Sequence, residues 1–247
     1  MEKHAAVVTP LCPAAAGERG NVPRRMLHLG SIGGTSIDVD FNFLFLVLLF
    51  VYLNYNAQQG IQYALLWIPI VFVSVLFHEL AHAGAIAMFG FGASQIVLTG
   101  MGGVTINRRR ARPWQDMVIS VAGPAASFAL YFLCVWMLRN LRVTHTDRML
   151  SALIPLMALA NVWWGIFNLI PVPPLDGGHA TRDFFRMFLT ERNAFIIAIW
   201  IAIVVGAGVS VYALMSRSFF VAIYIGWFVY MAFGQWQYFK RHGVPGD

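Results

Sequence analysis

Two imidazoles and a carboxylate stand within five residues at His78-Glu79-Leu80-Ala81-His82. Histidines four apart on a helix lie one turn above the other on one face, close enough to share a single Zn²⁺. Glu79 is then left beside the ion, where a carboxylate serves as the general base that takes a proton from metal-bound water. No charged or imidazole side chain occurs from Ile61 to Phe77, and none follows His82 until Arg108, so the three polar groups sit in an otherwise apolar run. A charge at membrane depth costs about 2.5 to 3.5 kcal/mol on insertion scales, which argues against decoration. A pair of buried structural histidines is the plainer alternative, but it leaves Glu79 unexplained.

The elements that must hold these residues are apolar. The chain is 59% hydrophobic and 11% charged, with a mean hydropathy of +0.66, whereas a soluble domain carries about 25% charged residues. This is the composition of a polytopic membrane protein, an all-α class. Six uncharged runs read as transmembrane helices: Phe41 to Ala57, Ile61 to Phe89, Met117 to Leu138, Leu150 to Ile170, Ala194 to Met215 and Phe219 to Phe239. Each approaches the roughly 20 apolar residues that cross a bilayer, the first being the shortest. Met1 to about Arg25 is rich in Ala, Pro and Gly and reads as a tail, so residues 1–30 are expected to form a disordered cytoplasmic segment and 31–247 one membrane-embedded domain. Ile37-Asp38-Val39-Asp40-Phe41 alternates apolar and acidic, the pattern of a short strand. Cys12 and Cys134 are too few and too differently placed for a disulfide framework.

The formal charge of +6 lies in short basic clusters between apolar runs, which points to membrane topology and away from nucleic acid. With the N-terminus inside, 13 of the 17 Lys and Arg residues fall in inner segments, and only Arg139, Arg142, Arg148 and Arg217 fall outside. The positive-inside rule then places both termini in the cytoplasm. His78, 17 residues after Ile61, lies roughly 26 Å along its helix at about 1.5 Å per residue, toward the cytoplasmic side.

Between the second and third runs, Gly100, Gly102 and Gly103 separate Gln95-Ile96-Val97-Leu98 from Val104-Thr105-Ile106, which reads as a strand, a turn and a strand. Such backbone survives at membrane depth only where it is buried or lines a wet cavity, so a hairpin here would line the site. Its edge, at Gly102, Gly103 and Val104, could hold an extended peptide by strand addition. An ordinary loop anchored by the Arg108 to Arg112 cluster is the alternative.

A catalytic zinc needs a third protein ligand and an open position. Asp176 is the candidate on the same side, in the sequence Asn168-Leu169-Ile170-Pro171-Val172-Pro173-Pro174-Leu175-Asp176-Gly177-Gly178, whose prolines end the fourth helix. It is either a ligand or the N-cap of a helix over Ala180 to Phe188. His179 is the runner-up. Asn168 could bind substrate backbone, orient an oxyanion, or bond to a neighbouring helix.

These residues, together with Gly102-Gly103-Val104 and Ala122-Gly123-Pro124-Ala125-Ala126-Ser127, resemble the site-2 protease family of intramembrane zinc metalloproteases over about Ile37 to His179. The resemblance implies one zinc per chain on His78, His82 and Asp176, Glu79 as catalytic acid/base, and Asn168 as a substrate-positioning group. It implies transmembrane protein substrates cut within the lipid bilayer of the cell membrane, and it makes 31–247 a protease domain without room for the PDZ or CBS domains of many relatives. Ser127 departs from the asparagine that many members carry there. Two other readings use the same residues. A catalytically silent scaffold that binds membrane partners has no need of Glu79 or Asp176. A metal transporter needs polar residues in the outer halves of the helices, which offer almost none.

Overall fold

The computed structural model describes residues 26–58, 60–107, 111–140 and 148–243; of the expected tail 1–30, residues 1–25 lie outside them and 26–30 belong to a strand. The elements run β1 (Met26–Ile32), β2 (Thr35–Asp40), α1 (Phe43–Leu53), α2 (Ile61–Leu65), α3 (Trp67–Met88), β3 (Gln95–Thr99), β4 (Gly102–Ile106), α4 (Pro113–Asn140), α5 (Arg148–Asn168), α6 (Asp176–Arg186), α7 (Glu191–Met215) and α8 (Phe219–His242). They form two compact units. Of the described residues, one comprises those in 26–107, 118–140 and 148–168, the other those in 111–117 and 169–243.

Among the described residues five helical segments are long and apolar enough to cross a membrane: Ile61–Met88, Pro113–Asn140, Ser151–Asn168, Glu191–Met215 and Phe219–Arg241. The sixth expected span is shorter, because α1 has only 11 residues. At about 1.5 Å per residue it covers roughly half of the ~30 Å hydrocarbon core. The ring of Phe43 meets Phe72 at 6.3 Å and that of Phe50 meets Trp67 at 5.5 Å, so α1 runs antiparallel along the first half of α3. The sheet packs on α3 and leads into α1 through Asp40, whose Oδ1 accepts the Asn42 N–H at 2.9 Å.

The sheet has the order β1-β2-β3-β4. The expected hairpin is present as β3 and β4, antiparallel from Gln95↔Ile106 to Thr99↔Gly102. The alternating segment is β2, and it lies parallel to β3, with Ile37 opposite Ile96. β1 enters through Gly33 and Gly34, both at positive φ, the two-residue turn whose twist suits a hairpin. Parallel pairing hides Ile37, Ile96 and Leu98 in the core with Val71, Val75 and Ala83 of α3. On the sheet's polar side Asp38 accepts from Gln95 Nε2 at 2.8 Å and pairs with His28 Nδ1 at 2.8 Å. The Gln95 bond first, and then His28, hold its carboxyl below the usual carboxylate range.

The second apolar run is broken at Leu66, where Pro69 withholds an N–H from the first turn of α3 and α2 stays separate. In the other unit α7 and α8 meet closely at Gly206, where a Cβ would stand 2.5 Å from Val229 Cγ2, and Ser210 donates to the Ala222 carbonyl at 2.6 Å.

Candidate metal centre

His78, Glu79 and His82 lie on the buried face of α3 and expose 2%, 5% and 6% of their surface. One ligand atom from each falls within 4.8 Å of the others. The two Nε2 atoms are 3.2 Å apart. Two nitrogens at about 2.0 to 2.1 Å from one tetrahedral zinc would be separated by roughly 3.3 Å, so the pair is set at the spacing such an ion requires.

The far sides of both rings are anchored by α4. His82 Nδ1 donates to the Ile119 carbonyl at 2.6 Å. A carbonyl can only accept, so this bond puts the proton on Nδ1 and leaves the Nε2 lone pair for a metal. His78 Nδ1 lies 3.0 Å from Ser127 Oγ, a hydroxyl that can accept the same kind of bond. With both Nδ1 atoms protonated, two lone pairs face each other at 3.2 Å, an arrangement that a cation between them relieves. Gly123, also on α4, completes the site. A Cβ there would stand 2.2 Å from His82 Nε2 and 2.5 Å from His78 Nε2, so only glycine keeps the space beside both nitrogens open. Donor set, spacing and tautomer all fit a metal ion.

Glu79 points to the sheet. Thr105 Oγ1 of β4 donates to Glu79 Oε2 at 2.7 Å, and a Cβ at Gly103 would overlap Glu79 Cγ at 2.2 Å. β4 therefore lies against the carboxylate, while a Cβ at Gly102 would stand 3.5 Å from the Trp164 ring of α5, and Val104 is half exposed. As the last strand in the order, β4 has β3 as its one neighbour in the sheet. One turn before His78, Ser74 Oγ accepts from Asn161 Nδ2 of α5 at 2.9 Å. Asn161 is fully buried, and among the described residues no donor reaches its Oδ1.

Asn168 ends α5 and donates to the Trp164 carbonyl one turn back at 2.9 Å. Asp176 belongs to the other unit and is the first residue of α6, which begins four residues before the expected helix. The N-cap position is taken by Leu175, in extended conformation and without a capping side chain. Asp176 is thus a first-turn acid, placed where a helix dipole favours negative charge. The paired glycines sit within the helix, and a Cβ at Gly177 would meet the Leu169 carbonyl oxygen at 2.2 Å and one at Gly178 the Pro173 nitrogen at 2.4 Å. They let the proline loop double back beneath the start of α6. Sequence reasoning missed Ile119, Gly123, Ser127 and Thr105 as parts of the site. For Gly123 and Ser127 the Gly-Pro sequence marked the place without revealing the contact.

The family model for Peptidase M50B-like proteins matches residues 43–173, which include every residue of this centre. The chain belongs to the M50B-like peptidases. A second model, Peptidase family M50, matches residues 142–211. A Synechocystis sp. relative is 29% identical over 65% of this M50B-like chain and 44% of its own length. A zinc metalloprotease of Methanocaldococcus jannaschii is 28% identical over 69% of the chain and 49% of its own length. This chain spans about half the length of the curated relatives it matches. The solved site-2 protease from Methanocaldococcus jannaschii superposes with a TM-score of 0.60 at 20% identity, over 90% of this chain and 97% of that one. The fold is that of a site-2 protease, carried by a multi-pass membrane protein.

Proposed function

We propose that this chain is an intramembrane zinc endopeptidase that hydrolyses peptide bonds in the transmembrane segments of membrane proteins. The observation that carries the reading is the pair of Nε2 atoms 3.2 Å apart beside the Glu79 carboxylate, with both far nitrogens tied to α4. His78 and His82 would hold one zinc per chain, with Asp176 as the third ligand. Zinc, when bound, supplies a Lewis acid that polarises the scissile carbonyl and acidifies water. Glu79 takes the proton of the attacking water and returns it to the leaving amine. Thr105 orients that carboxylate by its bond to Oε2. Substrate must be unwound before its carbonyls can be attacked, and the edge of β4 at Gly102, Gly103 and Val104 would accept the unwound segment as an added strand. Asn168 would help to position it.

The basic residues support a cytoplasmic site and cytoplasmic termini in the cell membrane. α1, though shorter than a full span, serves as the first of six crossings. The third ligand is tested by metal content after mild chelation. Asp176→Ala should lose zinc as His78→Ala does, while His179→Ala keeps it. Retention by the Asp176 variant with loss from the His179 variant would transfer the role to His179.

A further inference from the structure

We propose that α6 is an interfacial helix whose phenylalanine face lies in the headgroup boundary of the bilayer, on the leaflet where α7 begins. This goes beyond the proposed peptidase reading and does not depend on it. At about 100° per residue, Asp176, His179, Arg182, Asp183 and Arg186 share one arc of α6, and Phe184 and Phe185 lie on the opposite one, with Phe188 in the turn that follows. The helix is turned inside out for water. Asp183 is buried, and Arg186 holds it at 2.8 Å and Glu191 at the start of α7 at 2.6 Å. Arg186 also faces Asp116 at the start of α4 at 3.6 Å, and Arg182 pairs with Glu191. The charged face is consumed by the protein's own ions.

The aromatic face points out, with Phe184 46%, Phe188 70% and Leu189 38% exposed. Phe184 meets Phe185 at 5.5 Å and Phe188 at 5.4 Å, a small cluster of the residue type that interfacial helices carry on their apolar face. Its depth is fixed by continuity. Glu191 opens a 25-residue apolar span, so Phe188 and Leu189 stand where the chain enters hydrocarbon, and the apolar surface continues along α7 through exposed Trp200, Val204 and Val211. The occupant that fits is lipid. Because Arg182 and Arg186 are already paired with acids, insertion should not require anionic headgroups, unlike a basic amphipathic anchor.

The test uses the full chain with Cys12→Ser and Cys134→Ala, reconstituted at low protein-to-lipid ratio in phosphatidylcholine vesicles. A nitroxide at Phe188→Cys is read by collision with oxygen and with a water-soluble nickel complex, and Phe184→Cys is the second site should the first variant fail to fold. Both labels are expected to favour oxygen, at about 5 to 10 Å below the headgroups, with the same depth when phosphatidylglycerol is added. Nickel access equal to that of a label at Gln58→Cys would overturn the proposal. So would spin–spin broadening between labels, which would show a second copy on this face, or a depth that appears only with phosphatidylglycerol.

Discussion

Gly123→Ala places one methyl group against the two nitrogens that the account assigns to the metal. The added Cβ would stand 2.2 Å from His82 Nε2 and 2.5 Å from His78 Nε2, whereas ordinary contact begins near 3.4 Å. Each ring would have to retreat by about 1 Å, while a metal site tolerates ligand distances within about 0.2 Å. The rings are not free to retreat, because Ile119 and Ser127 hold their far nitrogens. Zinc affinity should therefore fall by on the order of 100-fold or more, a loss at least as large as that from removing an outer-shell partner. Strain in the filled core should cost about 1 to 3 kcal/mol of stability. Gly84→Ala is the control on α3, since nothing lies within 4 Å of a Cβ there; it should leave zinc unchanged and stabilise the helix by up to about 1 kcal/mol. Competition with a chromophoric chelator, with a melting curve on the same detergent-purified samples, reads both effects. A Gly123→Ala protein that binds zinc as tightly as the wild type would refute the placement of the ion beside these nitrogens.

Ser127→Ala should weaken zinc about 10- to 100-fold by freeing the His78 ring, and Ser127→Asn, whose amide oxygen can also accept from Nδ1, should recover part of the loss in the same chelator titration. Asn161→Leu should destabilise the protein by about 1 kcal/mol or less, because it removes the bond to Ser74 but also an unsatisfied buried oxygen, and denaturation in detergent compares it with Ser74→Ala. Gln95→Leu acts on Asp38, whose folded carboxyl is held below its ordinary range. Such a group stabilises the fold above the unfolded carboxylate range and loses that contribution as pH falls through its folded value. The variant should therefore cost about 1 kcal/mol at neutral pH and much less in acid, as melting curves across pH would show.

What the sequence made legible follows from the range of each interaction. His78, Glu79 and His82 were readable because four residues is one helical turn, and the β3–β4 hairpin because glycines mark its turn. The β2 strand showed in the alternation of Ile37 to Phe41, but its parallel partner β3 is more than fifty residues away, beyond any local signal. β1 was missed although Gly33-Gly34 announces a hairpin, since the composition around it resembles a tail. α1 was read too long because uncharged residues continue past both of its ends, while the helix stops at Asn54. Ile119 could not have been found, because it acts through a backbone carbonyl that every residue type carries.

Glu79→Gln, assayed for zinc and for cleavage of a transmembrane substrate on one detergent-purified preparation, tests the central claim most directly. The amide keeps the shape and cannot take the proton of the attacking water, so the variant should hold zinc at the wild-type level and show no cleavage. Cleavage near the wild-type rate with zinc in place would contradict the assignment of Glu79 as the general base.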